Sequence, residues 1–141
     1  MIRAYYTANI VPQGAGSGNF SIDLWNNAKD LRFQMDYISK HFKDSLMLYS
    51  PYRRDMFVRA WENEMVSTGE ISQFTEDILD MCDVLVVGTD PEFSGEVSND
   101  IDTAMVFGIT IVYLHQHNNM DDKINELESI LVKLDVPESE V

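Results

Sequence analysis

The order of apolar and polar residues along this chain predicts helices that alternate with strands. Apolar residues spaced three and four apart mark one face of a long amphipathic helix; they are Leu24, Ala28, Leu31, Met35, Ile38 and Phe42. Further helices are expected near Met56–Val66, over Ile71–Met81, from Ser98 to about Phe107, and along a C-terminal stripe of Ile124, Leu127, Leu131 and Leu134.

Four segments between these helices have the composition of strands. Ala4–Ile10 is rich in aromatic and β-favouring residues, and Ser45–Tyr49 ends at a Ser-Pro pair. Asp83–Gly88 is a continuous apolar run closed by glycine, which is typical of a strand buried on both faces. Ile109–Leu114 is expected to be a further buried strand.

The alternation of strands and helices predicts the fold class. It indicates an α/β protein with a single flavodoxin-like (Rossmann-like) domain over residues 1–141. We expect a parallel sheet of four to five strands with helices on both faces. Ligands of such sheets bind beyond the carboxyl ends of the strands, so the loops after Ile10 and Tyr49 and the segment 89–98 should converge.

Composition narrows the possible partners. The formal net charge of −14 repels phosphate backbones and anionic lipids, so neither nucleic acid nor a membrane is expected as a partner. Met1–Ile10 lacks the features of a signal peptide and Cys82 is the only cysteine, which favours a cytoplasmic protein. A small phosphorylated ligand remains compatible, because local amides can hold a single phosphate.

The segment 90–100 carries the most informative chemistry. Ser94, Gly95 and Ser98 offer hydroxyls and open amides ahead of a helix that Ser98 is expected to cap, which favours a cradle for a phosphate or a sugar hydroxyl. The alternative is an ordinary capped helix after a polar loop. Asp100 is expected in the first helical turn, where the dipole should keep it ionised at neutral pH.

Candidate catalytic and metal-binding side chains follow from this placement. An ionised Asp100 at a cleft has the chemistry of a nucleophile at a sugar C1, although an aspartate there can also simply complement the helix dipole. His115 and His117 are spaced like a metal pair, but no third ligand has a suitable spacing. We therefore expect no metal site.

Four places in the chain resemble the nucleoside 2-deoxyribosyltransferases and the related 2'-deoxynucleoside 5'-phosphate N-hydrolases. They are the opening strand Tyr5–Ile10, the strand end Tyr49-Ser50-Pro51, the strand 82–87, and the segment from Ser94 through Asp100 and Ala104 to the strand Ile109–Leu114. In this family a serine or aspartate precedes the nucleophilic carboxylate by six residues, and an alanine follows it by four. The positions of Ser94, Asp100 and Ala104 match these offsets.

The resemblance implies cleavage or transfer at the N-glycosidic bond of a nucleoside or its 5'-monophosphate, a reaction that would need no metal or organic cofactor. Asp100 would attack C1' and Tyr5 would orient it, although the family nucleophile is usually the longer glutamate. The family also has an acid where this chain has Thr75, and Asp77 is expected to take that role.

The resemblance also implies a set of substrate contacts and an assembly. Asn9, Ile10 and the segment 14–18 would close over the substrate, and Ser94, Gly95 and Ser98 would bind its 5' end. Ser94 slightly favours a monophosphate. Relatives of this kind assemble, so a homo-oligomer is expected, with the stripe Ile124–Leu134 either at its interface or on the chain's own sheet. The alternative function is a non-catalytic nucleotide-binding protein of the same fold.

Overall fold

The computed structural model describes residues 1–12, 17–63, 65 and 68–135. Its strands are β1 (Ile2–Thr7), β2 (Leu46–Tyr49), β3 (Val84–Val87) and β4 (Thr110–Tyr113). Its α-helices are α1 (Phe20–His41), α2 (Asp55–Glu62), α3 (Thr68–Leu79), α4 (Gly95–Phe107) and α5 (Met120–Asp135). Short 3-10 turns follow three of the strands, at Pro51–Arg53, Pro91–Phe93 and Leu114–Gln116.

The strands form a parallel sheet of flavodoxin-like topology, as the alternation of elements predicts. Within the described ranges the sheet has four strands in the order β2-β1-β3-β4. β1 pairs with β3 so that Thr7 lies opposite Val87, at the carboxyl end of both strands. The strand order reverses between these two strands, which is where sheets of this type bind ligands.

The two faces of the sheet bury separate cores, because successive strand residues point to opposite sides. On one face Tyr6 packs with apolar residues of α1 and α5, including Leu31 and Leu127. On the other face Tyr5 packs with Leu79 of α3 and with Val97, Ile101 and Ala104 of α4. Helices therefore cover both faces, as expected.

Several element boundaries differ from those expected. The first strand ends at Thr7 rather than Ile10, because the Asn9 side chain turns the chain by accepting from the Val11 amide at 3.0 Å. α4 begins at Gly95 with Ser94 as its N-cap, so the expected cap at Ser98 was wrong. The fourth strand was expected to be buried, but β4 lies at an edge of the sheet and Val112 is its one fully buried residue.

The helices expected from apolar periodicity are confirmed in the described part of the chain. Five members of the α1 pattern, Leu24 to Ile38, are buried residues of that helix. In α5, Ile124, Leu127 and Leu131 pack on the chain's own core, whereas Leu134, the last residue of the stripe, is 39% exposed. Val66 of the expected 56–66 helix lies outside the described residues.

No helix among the described residues combines the length and the apolar character needed to cross a bilayer.

Candidate functional site

A cleft of about 430 Å³ opens between α3 and the first two turns of α4. The described residues that line it are Ile71, Ser72, Thr75, Gly95, Glu96, Asn99 and Asp100. Because Asp100 contacts Thr7 at the end of β1, the cleft lies beside the point where the strand order reverses. The first two turns of α4 therefore line a cavity near the end of the sheet.

Asp100 is at the base of this cleft and is almost fully buried, with 2% of its surface exposed. Its Oδ2 accepts a hydrogen bond of 2.6 Å from the Thr7 hydroxyl. Burial raises the pKa of Asp100 to about 7; the Thr7 bond opposes this rise and the charge of Glu96 adds to it. The helix dipole was expected to keep Asp100 ionised, but the residue lies in the second helical turn, where burial outweighs the dipole. A pKa of about 7 leaves Asp100 only partly ionised at neutral pH.

The Thr7 contact corrects the role expected for Tyr5. The Tyr5 hydroxyl lies 3.3 Å from Oγ1 of Thr75 and does not bond to Asp100. Burial, followed by the nearby charge of Asp100, raises the pKa of Tyr5, so its hydroxyl keeps its proton. Thr7 points to the same face as Tyr5 two residues later, and this alternation is the sequence signal that would have identified it.

Glu96 is a second carboxylate in the cleft that the sequence reasoning did not single out. It lies in the first turn of α4, four residues before Asp100, and its side chain is half-buried. The Tyr52 hydroxyl donates to Oε1 at 2.6 Å and lies 2.7 Å from Oε2. Burial raises the pKa of Glu96, and the Tyr52 hydrogen bond opposes that rise. Its four-residue spacing from Asp100 was the available signal, because such residues share a helix face.

The three residues expected to cradle an anion have different roles. The Ser94 side chain is buried and accepts from the Val97 amide at 3.3 Å, so it caps α4. Gly95 lines the cleft. Ser98 is half-buried and is not among the described residues of the lining. For Ser94 the structure thus matches the plain alternative of a capped helix.

The remaining candidates are not brought to the cleft. Asp77 is exposed on α3, where it accepts from Gln73 at 3.0 Å, so Thr75 faces the cleft without an acidic replacement. Ile10 is buried in the core beneath α1, and the Asn9 side chain bonds to the backbone of Val11. Residues 14–16 of the proposed substrate loop lie outside the described residues.

The electrostatic character of the cleft is acidic. Its described lining holds two carboxylates and no lysine or arginine. Arg53 and Arg54 line a different cavity of about 380 Å³ at the end of β2, where Arg53 pairs with Asp36 at 2.8 Å. Among the described residues, no three histidine, cysteine, aspartate or glutamate side chains are grouped so as to hold a metal ion.

Comparisons of the chain with protein families, with curated proteins and with solved structures gave no match. The resemblance to the deoxyribosyltransferases and the phosphate N-hydrolases therefore stays a prediction from four short motifs.

Proposed function

We propose that this protein cleaves or transfers at the N-glycosidic bond of a nucleoside or deoxynucleoside bound between α3 and α4. The observation that carries the proposal is the pair Glu96 and Asp100, which line one cleft from one face of a helix. Each carboxylate is held by a hydroxyl, from Tyr52 and Thr7 respectively. Two carboxyl groups supply the nucleophile and the proton transfer that double-displacement cleavage of a glycosidic bond needs.

The size and charge of the cleft favour an uncharged substrate. Its volume of about 430 Å³ falls within the roughly 300–1,000 Å³ typical of small-molecule sites. Two carboxylates without a described basic neighbour would repel a phosphate, and the Ser94 hydroxyl is engaged as a helix cap. We therefore favour a free nucleoside over the 5'-monophosphate that Ser94 suggested in the sequence.

A substrate panel tests the proposal. Purified protein is incubated with each common nucleoside, deoxynucleoside and 5'-monophosphate, with and without a second free base, and base release is followed by chromatography. We expect release or exchange from at least one free nucleoside. Absence of release from every compound would overturn the proposed function.

A matched pair of variants locates the activity in the cleft. Asp100→Ala should lower base release by about 100-fold or more, in the range expected for loss of an acid–base group. Asp102→Asn changes an exposed carboxylate of the same helix and should leave the rate unchanged. Equal rates in Asp100→Ala and the wild type would place the reaction outside this cleft.

A non-catalytic nucleoside-binding protein is the second candidate, and one observation favours it. Thr75 takes the place of the family's acid and bonds with Tyr5, which leaves one fewer ionisable group at the cleft. Thermal stabilisation by a nucleoside without any base release would support binding alone.

The homo-oligomeric state and the cytoplasmic location expected from the sequence stay predictions. Analytical ultracentrifugation of the full chain tests the first of them.

A further inference from the structure

We propose that Glu96 forms the covalent bond to the sugar and that Asp100 transfers the proton to and from the base. This assignment rests on the proposed N-glycosidic reaction. It gives Glu96 the role of nucleophile, which the family resemblance gave to Asp100. It follows from the different depths, partners and helical positions of two carboxylates that share one cleft.

Glu96 has the position of the nucleophile. Its side chain is half-buried and longer by one methylene, whereas Asp100 is 2% exposed at the base of the cleft. Glu96 also lies in the first turn of α4, where the unpaired amides and the helix dipole favour an anion. A group that bonds to C1' has to reach the substrate as an anion, and Glu96 satisfies both requirements better than Asp100.

The hydrogen bond from Tyr52 supports the anionic form of Glu96. The Tyr52 hydroxyl is within 2.7 Å of both carboxylate oxygens and donates its proton to the pair. Burial and the adjacent Glu96 raise the pKa of Tyr52, so the phenol remains a donor across the pH range of interest. The Tyr52 hydroxyl therefore orients Glu96, just as the Tyr5 hydroxyl was expected from the resemblance to orient Asp100.

Asp100 has the surroundings of a proton donor and acceptor. Thr7 donates to Oδ2, and no described residue bonds to Oδ1. The titratable groups that face Asp100 are Glu96 on its own helix, Tyr5 on β1 and Tyr52 in the turn after β2, while α3 contributes the neutral Thr75. Burial, and after it the charge of Glu96, raises the pKa of Asp100 to about 7, so Asp100 can hold and release a proton near neutral pH.

The reaction then balances in two steps. A Glu96 carboxylate oxygen bonds to C1', the C1'–N bond breaks with its electron pair leaving on the base, and the Asp100 proton moves to the base nitrogen. Water next bonds to C1', the ester bond to Glu96 breaks, and the water proton returns to Asp100. In transfer, a second base takes the place of water and gives up its proton to Asp100. Residues four apart on a helix project from the same face, so both carboxyl groups can contact one substrate in the cleft that they line.

Covalent trapping in the wild-type chain is the direct test, and it does not depend on the folding of any variant. The probe is a 2'-deoxy-2'-fluoro-arabinonucleoside of the base that the panel shows to be released, and peptide mass spectrometry locates the ester. We expect the sugar on Glu96. An ester on Asp100, or turnover without an ester on either residue, would overturn the inference and leave the proposed function intact. A protein that releases no base from any nucleoside would fail the proposed function instead.

A leaving-group comparison provides an independent readout. Asp100→Asn should lose about 100-fold or more with a nucleoside but keep most of the wild-type burst rate of nitrophenolate release from a 4-nitrophenyl deoxyriboside, whose leaving group needs no proton. Its steady-state rate should still fall, because the water of the second step no longer has Asp100 as its base. Glu96→Gln should lose activity with both substrates. The nucleoside rate of the wild type should fall as pH rises through about 7, and this limb should be absent in Asp100→Asn. The reverse pattern, with Glu96→Gln spared by the nitrophenyl substrate, would reject the assignment.

Discussion

At the residue scale, two hydroxyls and two carboxylates determine the chemistry of the cleft. Burial raises the pKa of both Glu96 and Asp100, and in each case one hydroxyl opposes the rise. The two residues differ in exposure, since Asp100 is almost fully buried and Glu96 is half-buried. One helix face thus holds two carboxyl groups in different environments, which is the condition for separate acid and nucleophile roles.

Asp100→Asn should change how stability depends on pH. The folded pKa of Asp100, about 7, is higher than its ordinary value, so its contribution to stability is complete below about pH 4 and is lost as pH rises through 7. Since asparagine does not ionise, the free energy of unfolding of Asp100→Asn relative to the wild type should rise by roughly 2–3 kcal/mol between pH 5 and pH 8. Urea unfolding at both pH values measures this difference. Parallel pH curves for the variant and the wild type would contradict the shifted pKa.

Tyr52→Phe should affect activity through Glu96. Loss of the hydroxyl removes the hydrogen bond that holds the pKa of Glu96 down, so the acidic limb of the rate profile should move to higher pH. Base release across pH measures that shift. Tyr6→Phe is the matched control, because the Tyr6 hydroxyl donates to Gln34 on the opposite face of the sheet. An unmoved limb in Tyr52→Phe would show that Tyr52 does not control Glu96.

At the element scale, the start of α4 decides which side chains face the cleft. Ser94 caps the helix, and Gly95, Glu96, Asn99 and Asp100 then share one side of its first two turns. A helix that began after Ser98 would not have included Glu96. The position of the cap therefore brings the second carboxylate into the site.

Substitution of the cap should lower stability. Ser94→Ala removes the acceptor for the Val97 amide, so its free energy of unfolding should fall by about 1 kcal/mol. Ser98→Ala, inside the helix and not at its cap, should change stability much less. Thermal or urea unfolding of both variants measures the difference. A larger loss of stability in Ser98→Ala would indicate that the helix begins after Ser98, as the sequence suggested.

Gly88 is expected to tolerate no side chain, because β3 ends against the ring of Tyr6. A Cβ at this position would lie 2.3 Å from the Tyr6 hydroxyl oxygen and 2.5 Å from its ring. Gly88→Ala should therefore lower the free energy of unfolding by roughly 1–3 kcal/mol through overpacking. Gly95→Ala is the control, since a Cβ there meets nothing within 4 Å. Urea unfolding in which both variants match the wild type would contradict the close approach of Tyr6.

At the scale of the whole molecule, the sheet separates a structural core from a core that supports the site. α1 and α5 cover one face, whereas α3 and α4 cover the other and enclose the cleft. The sequence left open whether the apolar stripe of α5 lies at an interface between chains or on the chain's own sheet. In the structure its buried residues pack in the first of these two cores. Its burial within one chain means that a homo-oligomer would have to use other surfaces.

Leu127→Ala tests this placement of α5. Leu127 is fully buried, so its truncation should lower the free energy of unfolding by about 2–5 kcal/mol at any protein concentration. Leu134→Ala changes a partly exposed leucine of the same helix and should cost much less. Unfolding at several protein concentrations separates a core from an interface. A loss that grows on dilution would assign the stripe to a contact between chains.

Local patterns in the sequence were enough to predict the class of fold and most of its elements. Periodicity and continuous apolar runs are local signals, so they predicted α1, the buried strands and the parallel arrangement. They also placed Asp100 near the end of the sheet, where the structure has a cleft, because a loop that leads from a parallel strand into a helix meets that end. The end of β1 at Thr7 and the cap of α4 at Ser94 were not predicted, because each depends on which side-chain oxygen accepts a hydrogen bond from a nearby backbone amide.

Only the tertiary structure decided which side chains meet. Thr7 and Asp100 are far apart in the chain, as are Tyr52 and Glu96, and no local pattern connects either pair. The burial of Asp100 likewise comes from the packing of α3 on α4, so its raised pKa could not be predicted from the sequence. The helix dipole, which the sequence does indicate, suggested a lowered pKa instead. The same packing left Asp77 in solvent. A chain's periodicity records which face of an element is apolar, but the pairing of polar groups across elements is fixed when those faces pack together.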